Sequence, residues 1–411
     1  MKKIYLDNQS NTALDEKVFE AMKPYFLEYY GNPQSIYALG GQSKDALDNA
    51  RKQVADFINA QAPEIIFTSC ATEANNLAIK GIADAYKNKG KHIIVSAIEH
   101  FSVLNPVKRL EKEGFSITYL PVDNNGFVSE TELQKALRPD TVLVSIQFAN
   151  PEVGTIQNIK KLAELTKKGS IAVFHTDAVS VCGAMPVDVA DLGIDALTIS
   201  ASVMYGPKGA AALYLKKGIR ITPQIEGGVQ ENSKRSGTEN IPAIVGFGKA
   251  CEIAKTEILQ NAEKIRSLRD KLINGFTKNI PYIYLNGAVD NRLPGNVNFS
   301  VEFVEGESLF LLLDAKGIMA ASGSACANKN LKLSHVLNAM NVDVAVGQGS
   351  ILFTLSKYNT EEEIDYVLEE FPKIVQKLRD MSPLYSYFVQ TGERKQAGPG
   401  TDFHDHCEIQ E

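Results

Sequence analysis

Short runs of apolar and β-branched residues alternate with longer amphipathic stretches over the first half of the chain. The stretches between them have helical periodicity, as at 71–87 and 159–168, and are long enough to connect parallel strands. The pattern predicts an α/β fold with a mainly parallel seven-stranded sheet, whose ligand sites lie at the strand C-terminal ends. The predicted strands cover 65–69, 92–96, 117–121, 141–148, 171–175, 196–200 and 211–215.

The pattern changes near residue 252. A long charged helix is predicted to run from there to Lys278, followed by scattered strands and a second long helix over 360–381. We therefore expect a large domain over 15–257 and a smaller α+β domain made from 1–14 and 258–384. Residues 385–411 are expected to form a flexible tail, because their last part is polar and rich in Gly, Pro and charge.

Composition adds three constraints. The 411 residues are 44% hydrophobic with a formal charge of −6, which fits a large core and gives no basic surface for nucleic acid. The N-terminus lacks a signal-type apolar core and no apolar run reaches membrane-spanning length, so we expect an unprocessed cytoplasmic protein. An odd number of widely spaced cysteines favours a reducing compartment over a disulfide framework; they are Cys70, Cys182, Cys251, Cys326 and Cys407.

A strand-to-helix junction is the first candidate binding element. Residues 68–76 read TSCATEANN, so that a predicted strand leads directly into a helix start. Free N–H groups and the positive end of the helix dipole make Ala71 and Thr72 suitable for holding a phosphate group. The alternative for Thr72 is a purely structural N-cap.

Further segments stand at predicted strand ends and in loops. They read EH at 99–100, HTDA at 175–178, SASVMYGPKG at 200–209, RSGTEN at 235–240 and ASGSACA at 321–327. In this order they resemble the motifs of the NifS/IscS-type cysteine desulfurases, which are class V pyridoxal-phosphate transferases. The resemblance extends from Tyr5 to about Leu384 and implies the fold type I architecture of pyridoxal-phosphate enzymes.

The resemblance also implies roles for individual residues. His100 would stack on the cofactor ring, and Asp177 would pair with the pyridinium nitrogen and keep the ring an electron sink. Taken singly, a buried His or Asp is more often structural. The phosphate would be held by Ala71 and Thr72, by the hydroxyls of Ser200 and Ser202, and by Thr238 of a neighbouring subunit, which implies a homodimer.

Several positions around the reactive side of the ring depart from the family. Val203 stands where the family has the Schiff-base lysine, and an isopropyl group offers no nucleophile. Pro151 and Ser180 replace an Asn and a Gln that contact the cofactor. Leu352 replaces the arginine whose fork binds the substrate carboxylate. We therefore expect pyridoxal phosphate to be held noncovalently or to be absent, with weak or no desulfurase activity.

Cys326 lies in the segment that resembles the family's persulfide loop. A lone cytosolic cysteine is usually an inert small hydrophobe, whereas this context favours a reactive thiolate that carries sulfur or ligates an iron–sulfur cluster shared with a partner. The favoured hypothesis is a sulfur relay or cluster-ligand partner of an IscU-like scaffold protein in iron–sulfur cluster assembly. An active desulfurase with noncovalent pyridoxal phosphate and a non-catalytic structural subunit are the alternatives. Neither a membrane nor a nucleic acid is expected as a partner.

Overall fold

The computed structural model describes residues 3–322 and 333–394. Cys326 therefore lies outside the described residues. The strands are β1 (Ile4–Tyr5), β2 (Ile65–Thr68), β3 (His92–Ser96), β4 (Ser116–Leu120), β5 (Thr141–Ser145), β6 (Val173–Asp177), β7 (Ala196–Ser200), β8 (Ala211–Leu215), β9 (Ile283–Leu285), β10 (Asn296–Val301), β11 (Ile318–Met319) and β12 (Ser350–Thr354).

The helices of the same residues alternate with these strands. They are α1 (Glu16–Met22), α2 (Pro24–Leu27), α3 (Ala38–Phe57), α4 (Ala71–Tyr86), α5 (Phe101–Lys112), α6 (Glu130–Ala136), α7 (Ile159–Gly169), α8 (Val189–Leu192), α9 (Gln230–Ser233), α10 (Ile241–Asn279), α11 (Gly306–Asp314), α12 (His335–Ala339), α13 (Val344–Gly347), α14 (Glu361–Asp380) and α15 (Pro383–Thr391). Short 3-10 turns cover Ala62–Glu64 and Ala201–Val203.

The central sheet has seven strands in the order β2-β8-β7-β6-β5-β3-β4. All neighbouring pairs are parallel except those of β8, which runs antiparallel to β2 and β7. Helices cover both faces, so the strands are apolar on both sides: Ile93 and Val95 of β3 pack against α4 and α5, while Ile94 packs into the core on the opposite face. The predicted α/β fold with a mainly parallel seven-stranded sheet is confirmed.

A second core forms around the antiparallel sheet β12-β10-β9. Ile4 and Leu6 from the N-terminus join it, together with the C-terminal half of α10 and the inner face of α14. Helix α10 contributes Ile258 to the first core and Ile265 to the second, so one continuous helix spans the predicted boundary at 257/258. The division into domains remains a prediction.

The start of the expected tail is ordered as helix α15. Ser382 caps this helix by accepting a hydrogen bond from the Tyr385 N–H, and Phe388 stacks on Phe303 with ring centroids 4.9 Å apart. Phe388 also meets the edge of Tyr282 at 5.1 Å. Residues 385–391 are therefore helical and packed by aromatic contacts with Phe303 and Tyr282, while the flexibility of the tail stays a prediction. Among the described residues, no helix combines the length and apolar character needed to cross a membrane.

Candidate active site

A cavity of about 290 Å³ lies at the C-terminal ends of β3, β5 and β6. It brings together four of the residues predicted from the sequence, because each follows a strand or starts a helix at this edge of the sheet. Ala71 and Thr72 begin α4, His100 precedes α5 and Asp177 ends β6.

Asp177 is held by a chain of hydrogen bonds. Its Oδ2 accepts from Asn75 Nδ2 at 2.7 Å and its Oδ1 from the Val179 N–H at 3.0 Å. The same Asn75 amide donates to Ser102 Oγ at 2.8 Å, and Ser102 Oγ lies 2.7 Å from His100 Nδ1. Burial raises the pKa of Asp177 above its usual value, and these donors only partly offset this effect. A cationic ligand group would favour the ionised carboxylate.

The start of α4 provides the anion-binding end of the cavity. Cys70 at its N-cap makes no side-chain capping hydrogen bond with any described residue. Glu73 turns away from the cavity and pairs with Arg235, whose Nε lies 2.7 Å from Glu73 Oε1. Although burial alone would raise the pKa of Glu73, its bonds to Arg235 and Ser69 lower it. Ala71 and Thr72 thus offer helix-start N–H groups toward the cavity.

The other predicted phosphate ligands, Ser200, Ser202 and Thr238, are not part of the cavity lining. Ser200 ends β7 and Ser202 lies in the turn that follows, with their hydroxyl oxygens 3.0 Å apart. Thr238 is exposed in the segment before α10. Thr238 was expected to bind the phosphate held by a neighbouring subunit, and in the single chain its side chain is exposed.

The departures from the family cluster around the same region. Val203 lines a smaller adjoining cavity of about 60 Å³ with Gln9 and Ser180, where Gln9 Nε2 donates to Ser180 Oγ at 3.2 Å. Pro151 and Leu352 line the main cavity. In the part of the chain that the structure describes, no lysine or arginine lines either cavity.

The sequence did not single out four ionisable residues that line the cavity: Asp7, Glu99, Glu152 and His335. Burial raises the pKa of Glu99 well above its usual value, although the Gln147 N–H donates to its Oε1 at 2.7 Å. Burial lowers the pKa of His335, whose Nε2 lies 3.0 Å from the Glu99 carbonyl oxygen. The sequence offered a clue for the two glutamates only: Glu99 directly precedes His100, and Glu152 directly follows Pro151.

Glu152 has one carboxyl oxygen bonded and the other buried without a partner in the described part of the chain. Its Oε2 accepts from Ser334 Oγ at 2.6 Å, while its Oε1 is buried with no hydrogen-bond partner among the described residues. Burial raises its pKa to about 7, and the Ser334 hydroxyl lowers it in part. The carboxyl group can therefore gain or lose a proton near physiological pH.

The described residues fit pyridoxal phosphate in part. The start of α4 suits its phosphate and the buried Asp177 carboxyl suits its ring nitrogen, but the cavity walls offer no amine for covalent attachment within 3–322 and 333–394. When bound, the cofactor supplies an electron sink. The predicted cluster ligand Cys326 lies outside these residues, and within them no group of three or more His, Cys, Asp or Glu is arranged to hold a metal ion.

Comparisons with known proteins agree with this architecture. The model of the aminotransferase class-V family matches residues 4–367. The chain is 50% identical to the cysteine desulfurase IscS of Dictyoglomus turgidum, over 93% of this chain and 97% of that one. It is 52% identical to the cysteine desulfurase IscS of Methanosarcina thermophila, over 93% of this chain and 94% of that one.

Solved structures give the same result. A NifS-like protein superposes with a TM-score of 0.87 at 38% identity, covering 92% of this chain and 100% of its own. A NifS-like protein from Rickettsia africae gives 0.82 at 32% identity, with 91% and 100% covered. The fold is therefore fold type I of the pyridoxal-phosphate enzymes, and the chain belongs to the aminotransferase class-V family, in which it resembles the NifS/IscS-type cysteine desulfurases.

Proposed function

We propose that this chain is a cysteine desulfurase-like protein of iron–sulfur cluster assembly with weak or no desulfurase turnover. Cys326 would relay sulfur to an IscU-like scaffold protein or act as a ligand to a cluster held by that partner. The proposal rests on the lining of the two cavities, where Val203 and Leu352 stand in place of the family's lysine and arginine. No other described lining residue supplies an amine or a guanidinium group.

The stem of the Cys326 loop supports a role at this cavity. Ala321 and Leu352 exchange two backbone hydrogen bonds of 2.9 and 3.0 Å, and both residues line the cavity together with Ser322. Ser322, four positions before Cys326 in the sequence, thus lies in the cavity wall. A thiolate accepts sulfane sulfur from a donor without needing a Schiff base.

A homodimer in the cytoplasm is part of the proposal. Large apolar side chains of the N-terminal region are exposed, and a second copy of the chain would cover them. They are Phe26, Leu27, Tyr30, Ile36 and Tyr37.

One observation favours the second candidate, an active desulfurase with noncovalent pyridoxal phosphate. The hydrogen-bonded chain from Asp177 through Asn75 and Ser102 to His100 is complete. In that case Asp177 and His100 would orient the ring, and Ala71 and Thr72 would hold the phosphate. An absorbance spectrum of the protein with and without added cofactor, followed by assay of cysteine-dependent sulfide release, distinguishes the two candidates.

The relay role is tested by comparing Cys326→Ser with Cys70→Ser. Cys70 is exposed and forms no disulfide, which makes it the control cysteine. We expect Cys326→Ser alone to abolish persulfide labelling by an added sulfane donor and to reduce cluster retention in the complex with a scaffold protein. If it behaves like the unmodified protein in both assays, a structural subunit is the better description.

A further inference from the structure

The main cavity is acidic. Four carboxyl groups line it, and within residues 3–322 and 333–394 no lysine or arginine lines it with them. The four belong to separate segments of the chain, which the fold brings together: the N-terminal segment, the end of β3, the loop after β5 and the end of β6. They are Asp7, Glu99, Glu152 and Asp177.

Two of these groups, Glu99 and Glu152, have a buried carboxyl oxygen with no hydrogen-bond partner among the described residues. Glu152 is only 3% exposed, and its Oε1 has no partner among the described residues, whereas Oε2 is bound by Ser334. A buried polar atom without a partner costs free energy, so it marks a place where a ligand donor is favourable. Its burial separates this oxygen from an ordinary surface carboxylate.

The remaining walls of the cavity are largely apolar. Leu352 is 4% exposed, and its backbone N–H and C=O groups are already bonded to Ala321, so the residue offers no donor to an anion. Further apolar side chains complete these walls, and they suit a hydrocarbon body of the ligand. They are Ile98, Phe101, Val179 and Val336.

We propose that this cavity binds a primary amine with an apolar body and no carboxylate, the ammonium group being held by Glu152 among the surrounding carboxyl groups. An ammonium group has three donors and no acceptor, so it satisfies Oε1 and neutralises the buried charge. An α-amino acid would place its own carboxylate against Leu352 and the acidic residues, and no cation among the described lining residues would pair with it. The proposal does not depend on the role proposed for Cys326.

A matched pair of ligands tests this inference. 2-Phenylethylamine and L-phenylalanine differ only in the carboxylate, and neither carries a thiol. Titration calorimetry on the full chain, dialysed free of amines and cofactor, should give a Kd for the amine at least about ten-fold lower than for the amino acid, as expected for one charge-assisted contact. Equal or tighter binding of L-phenylalanine, or no saturable binding of the amine, would overturn the proposal.

Two variants locate the site. Glu152→Gln keeps an acceptor for Ser334 but removes the charge, and should weaken amine binding about ten-fold, whereas Glu130→Gln on the exposed surface of α6 should leave it unchanged. Leu352→Arg should reverse the preference toward L-phenylalanine, with Leu259→Arg on the exposed side of α10 as its control. Amine binding that is insensitive to Glu152→Gln would place the ligand elsewhere and contradict the assignment.

Discussion

The Asn75 side-chain amide donates to Asp177 Oδ2 at 2.7 Å, and the same nitrogen lies 2.8 Å from Ser102 Oγ. One amide on α4 therefore orients a carboxyl group at the end of β6 and a hydroxyl group at the start of α5. Because Asp177 is buried, its carboxyl group depends on this donor.

The first prediction follows from that contact. Asn75→Ala should lower the free energy of unfolding by about 1–3 kcal/mol, because it leaves the buried Asp177 with one donor fewer. The adjacent Asn76→Ala is the control, since Asn76 is only half-buried and its amide donates to the Thr72 carbonyl oxygen of its own helix. Urea unfolding measures the free energy of unfolding of both variants. Equal decreases would show that the Asn75 hydrogen bond contributes no more to stability than the Asn76 hydrogen bond.

The second prediction concerns covalent cofactor. Because Val203 has no amine, borohydride treatment of the protein as purified, without added pyridoxal phosphate, should leave no reduced cofactor on any lysine. Peptide mass mapping is the measurement, and Val203→Lys treated in the same way is the positive control. A pyridoxyl-lysine at another position, such as Lys208, would refute the prediction.

The third prediction concerns turnover. Cysteine-dependent sulfide release should be at least about 100-fold slower than for an IscS relative, because a positioned acid–base group alone contributes roughly 10²–10⁴-fold. Val203→Lys alone should not restore the rate, since Leu352 still leaves the substrate carboxylate unpaired. Val203→Lys combined with Leu352→Arg should exceed either single variant. Robust turnover by the unmodified chain would instead support the noncovalent-cofactor candidate.

The fourth prediction is a pH dependence of stability caused by Glu152. Its pKa is raised to about 7 in the folded state, from an ordinary value near 4.5, so the folded chain binds this proton more tightly than the unfolded chain. The resulting stabilisation is fully present below about pH 4.5 and is lost as the pH rises through 7. The shift corresponds to up to about 3 kcal/mol.

Glu152→Gln removes this titration. Between pH 4.5 and 8 the unmodified chain should lose up to about 3 kcal/mol more of its free energy of unfolding than the variant does. Urea unfolding at the two pH values gives the difference, with Glu130→Gln as the exposed control. An identical pH dependence in Glu152→Gln and the unmodified chain would show that Glu152 does not titrate in this range.

Local patterns in the sequence predicted much of the architecture. Apolar runs located β3, β7 and β8 with the bounds that the structure has, because a strand covered by helices on both faces is continuously apolar. Strand β6 was displaced: 171–175 was predicted and Val173–Asp177 is observed, since the buried polar residues Thr176 and Asp177 continue the strand without an apolar signal. The helix starts at Ala71 and Ile159 were also predicted.

The ordered motifs likewise indicated the family and four residues of one cavity, Ala71, Thr72, His100 and Asp177, because short segments at strand ends carry that information locally. Tertiary structure decided the rest. Helix α15 packs against Phe303, which lies far from it in the sequence. Burial raises the pKa of Glu152, and a hydroxyl 182 positions away at Ser334 lowers it in part. The burial and electrostatic surroundings of a residue depend on residues that are distant in the sequence and adjacent in the fold. No local pattern could therefore indicate that this cavity is acidic.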